Sequence, residues 1–527
     1  MLRVAATLSI LSATTDEPVH VTAGVELLLQ HRYTLLPENP PLPRVLFAAP
    51  LIAKGVDFDP QQDVRRFVGR TLYSRGQYRT NLVLVRAGNL LFFALAAVCV
   101  WRIARRELGP PGGALATLLF TMQPLILGFA GIANHDMPAV AGTALALFAF
   151  TRWLERRTLV CALLFGLAFG LAIGFKFSCV PFVVAGCFAL ALFRRDAFRE
   201  WRAIPVMLAG AVFALWASYG FHIAFFLAGV ESTRLIATNH YDVYALGRWS
   251  RDGWWWYFPL AVAVKTTIAS LLLLLWSAAV PGRPLSKQWL VATLAMLLTV
   301  LPTRLDVGVR YVLPLYVPLS IAAAAGALAM MQRFRIGAVA LLVWHCATSL
   351  LAHPQYFAYF NAFAGRDPSR VLVDSNLDWG QDALLLKRVL REKHVSEVGL
   401  ALVGMHDYDR LGYPPNYPVS PGIPATGWIA VSDHLYRLER YRWLRGRPYQ
   451  RVGASIRLYF IPYTSSGVRR RQSPLWLRMR AATGVAALQT RWNSAEPSGS
   501  SFTAASARVA LASSTRRATS TAMRASR

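Results

Sequence analysis

Apolar segments long enough to cross a bilayer recur through the first two thirds of the chain, and they leave few folds open. Crossing roughly 30 Å of hydrocarbon takes about 20 mostly apolar helical residues. Such runs fall at residues 83–101, 114–131, 137–150, 159–175, 177–193, 204–221, 254–280, 289–301, 311–330 and 336–351. With a truncated first span inside residues 1–15, the expected number of transmembrane helices is about eleven; each must be helical because lipid offers a bare backbone no partner. The composition agrees. Only 16% of residues are charged and 55% are hydrophobic, whereas a soluble domain carries about 25% charged residues.

A formal net charge of +29 would suit a nucleic-acid binder, but its placement argues against one. Basic residues fall in every second gap: Arg102, Arg105 and Arg106; Arg152, Arg156 and Arg157; Arg194, Arg195, Arg199 and Arg202; Arg283 and Lys287; Arg333 and Arg335. Lys and Arg are retained in short cytoplasmic loops. The other gaps then face outward: residues 16–80, 133–136, the surroundings of Lys176, 222–253, 304–310, and everything after His353. The charge thus reports the topology of a multi-pass protein of the plasma (inner) membrane, with membrane lipid and no nucleic acid as its partner. The five cysteines all lie in apolar spans without CxxC spacing, as small core hydrophobes do.

Three regions are expected. Residues 1–352 form the transmembrane part, with residues 16–80 as its first outer loop. Residues 353–463 alternate strand-like runs (398–403, 427–431, 455–461) with turn-forming stretches, as in a small extracytoplasmic α/β domain. Residues 464–527 are a basic tail rich in Ser, Thr, Ala and Arg, a composition that favours disorder. The chain is therefore expected to be a polytopic α-helical membrane protein with a small α/β domain outside.

The outward gaps concentrate polar residues. Asp16 and Glu17 follow the first apolar stretch, Glu38 and Asn39 come later in the same loop, and His135 and Asp136 end another span. Carboxylates at a span boundary are costly unless water, a partner or a ligand meets them. Each alone could be a solvated loop start or a helix cap; acids at one face in successive outward gaps are harder to explain that way. Cations lie on the same face: Lys176, His240, Lys265 and Arg310. Singly they could snorkel toward headgroups; together they would bind an anion such as a lipid-linked phosphate.

These motifs resemble glycosyltransferase family 39 and its relatives of the GT-C fold, among them protein O-mannosyltransferases and the lipid A aminoarabinose transferase. The resemblance rests on Asp16-Glu17-Pro18, Glu38-Asn39-Pro40-Pro41 and His135-Asp136. It extends to Gly174-Phe175-Lys176-Phe177-Ser178, to the Trp-rich run from Gly253 to Pro259 with Lys265-Thr266, and to Arg310-Tyr311-Val312-Leu313-Pro314. The runs from His353 to Asn361 and from Asp374 to Asp382 look like a bacterial branch.

The resemblance implies transfer, with inversion, of a sugar from a polyprenyl-phosphate donor to an acceptor hydroxyl on protein, lipid or glycan at the outer face. It implies Asp16 as catalytic base and Asp136 as the second catalytic acid. Substrate contacts fall to Glu17, Glu38, Asn39, His135, Lys176, His240, Lys265 and Arg310. Glu38 and His240 match positions that allow a divalent metal in some relatives. Asn39 departs from the Lys or His usual at its position, which shifts the phosphate contact toward Lys176 or Arg310. The competing reading is a secondary transporter of a small anionic or sugar solute. Transporters commonly show an internal repeat and interrupted helices at mid-membrane; here no repeat is visible and the acids gather at one face.

Overall fold

The computed structural model describes residues 1–59, 61, 63–237, 241–280, 284–303 and 306–462. His240, Arg283, Arg304 and the basic tail lie outside them. The first fifteen residues hold one helical turn, α1 (Leu2–Ala5), followed by turns, so no span forms there. Residues 16–80, expected as an outer loop, are instead largely helical: α2 (Glu17–Gln30) and α3 (Pro41–Lys54) pack against one another, and α3 against α4 (Tyr78–Thr121). Both α2 and α3 carry proline in the first turn, where its missing N–H is no loss.

Helix α4 is two arms. Gly109 adopts φ 77° and is followed by Pro110 and Pro111, which cannot continue a hydrogen-bond ladder. The expected span 83–101 lies in the first arm; the expected span 114–131 is divided between the second arm and α5 (Pro124–Ala130). There follow α6 (Asp136–Arg156), α7 (Leu159–Phe175), α8 (Cys179–Leu192) and α9 (Ile204–Ser218). Between α9 and residue 254 the chain is also structured, with α10 (Ile223–Ala237) and a hairpin of β1 (Val243–Ala245) and β2 (Arg248–Ser250). Residues 254–280 do not make one straight span: α11 (Tyr257–Lys265) and α12 (Ile268–Ala279) meet at 113°. Helices α13 (Pro284–Leu298), α14 (Tyr316–Arg333) and α15 (Arg335–Leu351) complete this part.

Among the described residues, four helices are long and apolar enough to cross a membrane, or five if α11 and α12 make one span. The expectation of about eleven is met only to that extent; several further helices are apolar but shorter. Close approach depends on glycine. A Cβ on Gly166 would sit 2.1 Å from the Met207 carbonyl oxygen, and one on Gly170 would sit 2.2 Å from that of Ala211. Small residues four apart thus let α7 and α9 come nearly backbone to backbone. The opposite side of α9 exposes Leu208 and Val212, as a lipid-facing helix does.

The helical body has two unlike ends. At one, the basic gaps meet: Arg106 and Arg152 pair with Glu155, Arg157 with Asp196, and Gln288 donates to Glu107. At the other lie Asp16, Asp136, Lys176 and Arg310, described below. Beyond α15 a five-stranded mixed sheet has the order β4-β3-β5-β7-β6, from β3 (Val398–Ala401), β4 (Asn416–Pro418), β5 (Gly427–Ser432), β6 (Gln450–Val452) and β7 (Ile456–Ile461). Strands β4, β3 and β5 run parallel; β7 is antiparallel to β5 and β6. Helix α16 (Ala383–Glu392) shares an apolar core with the sheet through Leu386, Leu390, Val398 and Leu458.

Candidate active site

Two chain segments far apart in sequence hold Asp16. The stretch before it runs along the stretch before α16: Ser12 N–H donates to the Gln381 carbonyl at 2.9 Å, and Thr15 N–H to the Trp379 carbonyl at 3.0 Å. The Ser12 hydroxyl also reaches the Gln381 carbonyl, at 2.7 Å. From the other side, Glu17 accepts two hydrogen bonds from Arg86 of α4, each 2.8 Å, and amide hydrogen bonds from Thr14 and Ala133. Arg86 spends its remaining donors on the carbonyls of Leu8, Leu11 and Ser12. Asp16 stands at the head of α2 without capping it; its carboxylate accepts from Arg310 Nη1 at 2.8 Å.

Asp136 has a separate cation. Lys176, just past the end of α7, donates from Nζ to Asp136 Oδ1 at 2.6 Å, while the Asn134 amide donates to Oδ2 at 2.8 Å. The two ion pairs converge on one ring. Lys176 Nζ lies 5.0 Å from the centre of the Tyr311 ring and the Arg310 guanidinium 5.4 Å from it. Arg310 also lies over the Trp379 indole at 4.5 Å. The result is a buried group of two acids and two cations around Tyr311, built from residues spread over most of the chain.

Burial pushes the Asp16 carboxyl above the ordinary carboxylate range; the Arg310 guanidinium pulls it down, and the charges of Asp136 and Asp374 add to the upward push. For Glu17 burial also pushes upward, but the Arg86 ion pair and the two amide hydrogen bonds together outweigh it and hold the group below its usual value. Neighbouring carboxyls are thus driven in opposite directions. Burial raises Glu38 as well, against the Ser232 hydrogen bond.

The other residues singled out from the sequence are placed as follows. Glu38 accepts from Ser232 of α10 at 2.8 Å and from the Asn39 amide at 3.3 Å. His135 is buried, with Nε2 at 2.9 Å from the Pro40 carbonyl and its ring 4.7 Å from that of His20. Lys265 is fully buried at the break between α11 and α12 and donates to the carbonyls of Phe357 (2.8 Å) and Asn376 (2.6 Å). Both of these acceptors are backbone oxygens, a positioning arrangement. His240 lies outside the described residues. Around Glu38 the described partners are a neutral hydroxyl and a neutral amide, and among the described residues no group of three or more His, Cys, Asp or Glu side chains could hold a metal ion.

Sequence reasoning gave no role to Tyr311, Trp379 or Arg44. Arg44 is fully buried on α3 and donates to the carbonyls of Leu35 and Leu36, fixing the turn that leads to Glu38. Tyr311 and Trp379 stood inside recognised motifs, but a motif carries no information on which charged residue its aromatic ring will meet.

Residues 79–219 match the family model described as dolichyl-phosphate-mannose-protein mannosyltransferase. The likeness first read from short motifs is thus met independently over that stretch. The chain matches no curated protein sequence. Among solved structures, ArnT from Cupriavidus metallidurans bound to undecaprenyl phosphate is similar at 15% identity, TM-score 0.47, over 87% of this chain and 96% of that one. Arabinosyltransferase EmbB from Mycobacterium smegmatis follows at 13% identity and TM-score 0.39, over 62% of this chain and 29% of that one. The Archaeoglobus fulgidus oligosaccharyltransferase gives 14% identity and TM-score 0.36, over 79% of this chain and 56% of that one.

Proposed function

We propose, taking the family match over residues 79–219 as the premise, that the protein is a membrane glycosyltransferase that moves a sugar from a polyprenyl-phosphate donor to an acceptor hydroxyl. One observation carries the reading: the two acids each hold a cation at one aromatic platform, at the same end of the helical body. Asp16 takes the acceptor proton as the hydroxyl oxygen bonds to the anomeric carbon. The bond from that carbon to the phosphate oxygen breaks on the opposite side, and its electron pair leaves with the polyprenyl phosphate. The charge gained by the phosphate is met by Arg310 and Lys176, which turn from Asp16 and Asp136 to the lipid phosphate when the donor binds. Until the donor binds, Asp136 keeps Lys176 at the site, and its charge balances that of the two cations. A transporter reading fits less well, since the charged groups gather at one end of the helices rather than midway along them.

The test varies donor and acceptor separately. Lys176→Ala is expected to raise the donor concentration needed for half-maximal initial rate and to leave the acceptor requirement nearly unchanged. Arg310→Lys is expected to do the same, because an ammonium cannot reproduce a planar fork on phosphate. If both variants shift only the acceptor curve, or neither curve, the cations do not hold the donor and the reading fails.

The same reading puts the acidic end of the body outside. Single cysteines at Arg105, Arg156, Arg195 and Arg333 are expected to react with an impermeant thiol reagent only after the membrane is opened, and one at the exposed Arg366 in intact cells. Labelling at Arg156 or Arg195 from outside would reverse the topology and the side of the reaction.

A further inference from the structure

Trp379 touches Arg310 and the residue that precedes Asp16, by two different means. Its carbonyl accepts from the Thr15 N–H at 3.0 Å and the Thr15 hydroxyl at 3.3 Å, fixing the residue before Asp16. Its indole face lies 4.5 Å from the Arg310 guanidinium. The indole is itself held. It stacks on Phe357 with ring centres 5.8 Å apart and planes at 23°, and the backbone behind it is fixed where the Trp379 main-chain N–H donates to Gln381 Oε1 at 2.8 Å. Lys265 secures the far side of that stack through the Phe357 carbonyl, and through the carbonyl of Asn376, whose side-chain oxygen accepts from Val309 N–H beside Arg310.

We propose that Trp379 is a positioning residue for Arg310, brought to the membrane-embedded site by the chain just ahead of α16. The chemistry asks two things of Arg310 that conflict. It must stay at one place in a buried site, and it must exchange Asp16 for a phosphate. A carboxylate that fixed it would compete with the phosphate for its N–H groups. An aromatic face holds a guanidinium through its π-cloud and leaves the in-plane N–H edge free. Trp379 meets both demands, and its carbonyl keeps Asp16 in register with the cation it holds.

The inference rests on the transferase reading for its kinetic arm only. Trp379→Leu is expected to cut turnover by between about ten- and a hundredfold, the cost of misplacing a group by up to an ångström. Its activity–pH profile is expected to rise at higher pH than that of the unaltered protein, because a displaced Arg310 no longer lowers Asp16. Trp379→Phe, which keeps an aromatic face, is expected to recover most of the rate. Unchanged turnover and an unchanged pH profile in Trp379→Leu would overturn the proposal. If that variant does not fold, Trp379→Met, which fills the space without an aromatic face, decides in its place: a several-fold loss with the rise displaced supports the proposal, and an unaltered rate and profile overturn it. The second arm needs no reaction. Melting temperatures of Asp16→Ala, Trp379→Phe and the double variant are expected to be non-additive, because Trp379 acts on a pair that Asp16→Ala already breaks. Additive shifts overturn the proposal; non-additive shifts uphold it even if no sugar is transferred and the transferase reading fails.

Discussion

Asp16→Asn is expected to leave a folded protein that still takes up the lipid-phosphate donor while transfer falls by about 10²–10⁴-fold, the range lost when a general base is removed. The asparagine keeps the shape and an oxygen that can accept from Arg310, so the backbone clamp from Ser12 and Thr15 to residues 379–381 is undisturbed. What is lost is the ability to take a proton. In the unaltered protein turnover should rise with pH through a midpoint above the ordinary carboxylate range, since burial raises Asp16 and only the ionised form accepts a proton. In Asp16→Asn that rise should disappear. Arg310→Met should move it the other way from the ordinary value, further up, because the group that lowers Asp16 is gone. Initial rates across pH, with donor binding measured in parallel, check all three. Near-normal turnover in Asp16→Asn would remove this residue from the chemistry.

The sequence made the helical membrane class legible because lipid demands uninterrupted apolar runs, and no other residue pattern satisfies that demand. It misread lengths and continuity for local reasons. Residues 254–280 are mostly apolar, but Lys265 near the middle finds its carbonyl partners where the helix turns aside, and the run breaks into α11 and α12. The gap 16–80 looked like a loop because it is polar at both ends, but α2 and α3 bury one another within it. That Asp16, Asp136, Lys176 and Arg310 stand at the ends of apolar runs could be read from the sequence. Their pairing could not. Asp16 and Arg310 lie 294 residues apart and Asp136 and Lys176 40 apart, and nothing local in either segment says which cation will face which acid. The resemblance supplied motifs, and the three-dimensional arrangement supplied partners for them.

Glu17 is the sharpest case, because it adjoins Asp16 in sequence and bears the same charge, yet its removal should fail in a different way. Its carboxylate is fully buried against a buried Arg86, and its oxygens are filled by the guanidinium and two backbone amides. Removing one partner of such a pair strands the other charge in a low-dielectric interior, at a cost of about 3–5 kcal/mol. Glu17→Gln, and more so Arg86→Met, should therefore lower the melting temperature and the yield of monodisperse protein, with activity lost in proportion to folded protein. The double variant Glu17→Leu with Arg86→Met removes both charges together, and apolar replacement of a buried ion pair is often close to neutral. Recovery should still be incomplete, because Arg86 also serves the carbonyls of Leu8, Leu11 and Ser12, which no methionine can satisfy. Thermal unfolding of the three variants in one detergent checks this. If Glu17→Gln instead melts like the unaltered protein and loses donor affinity, Glu17 faces the substrate, and the clamp behind Asp16 must be sought elsewhere.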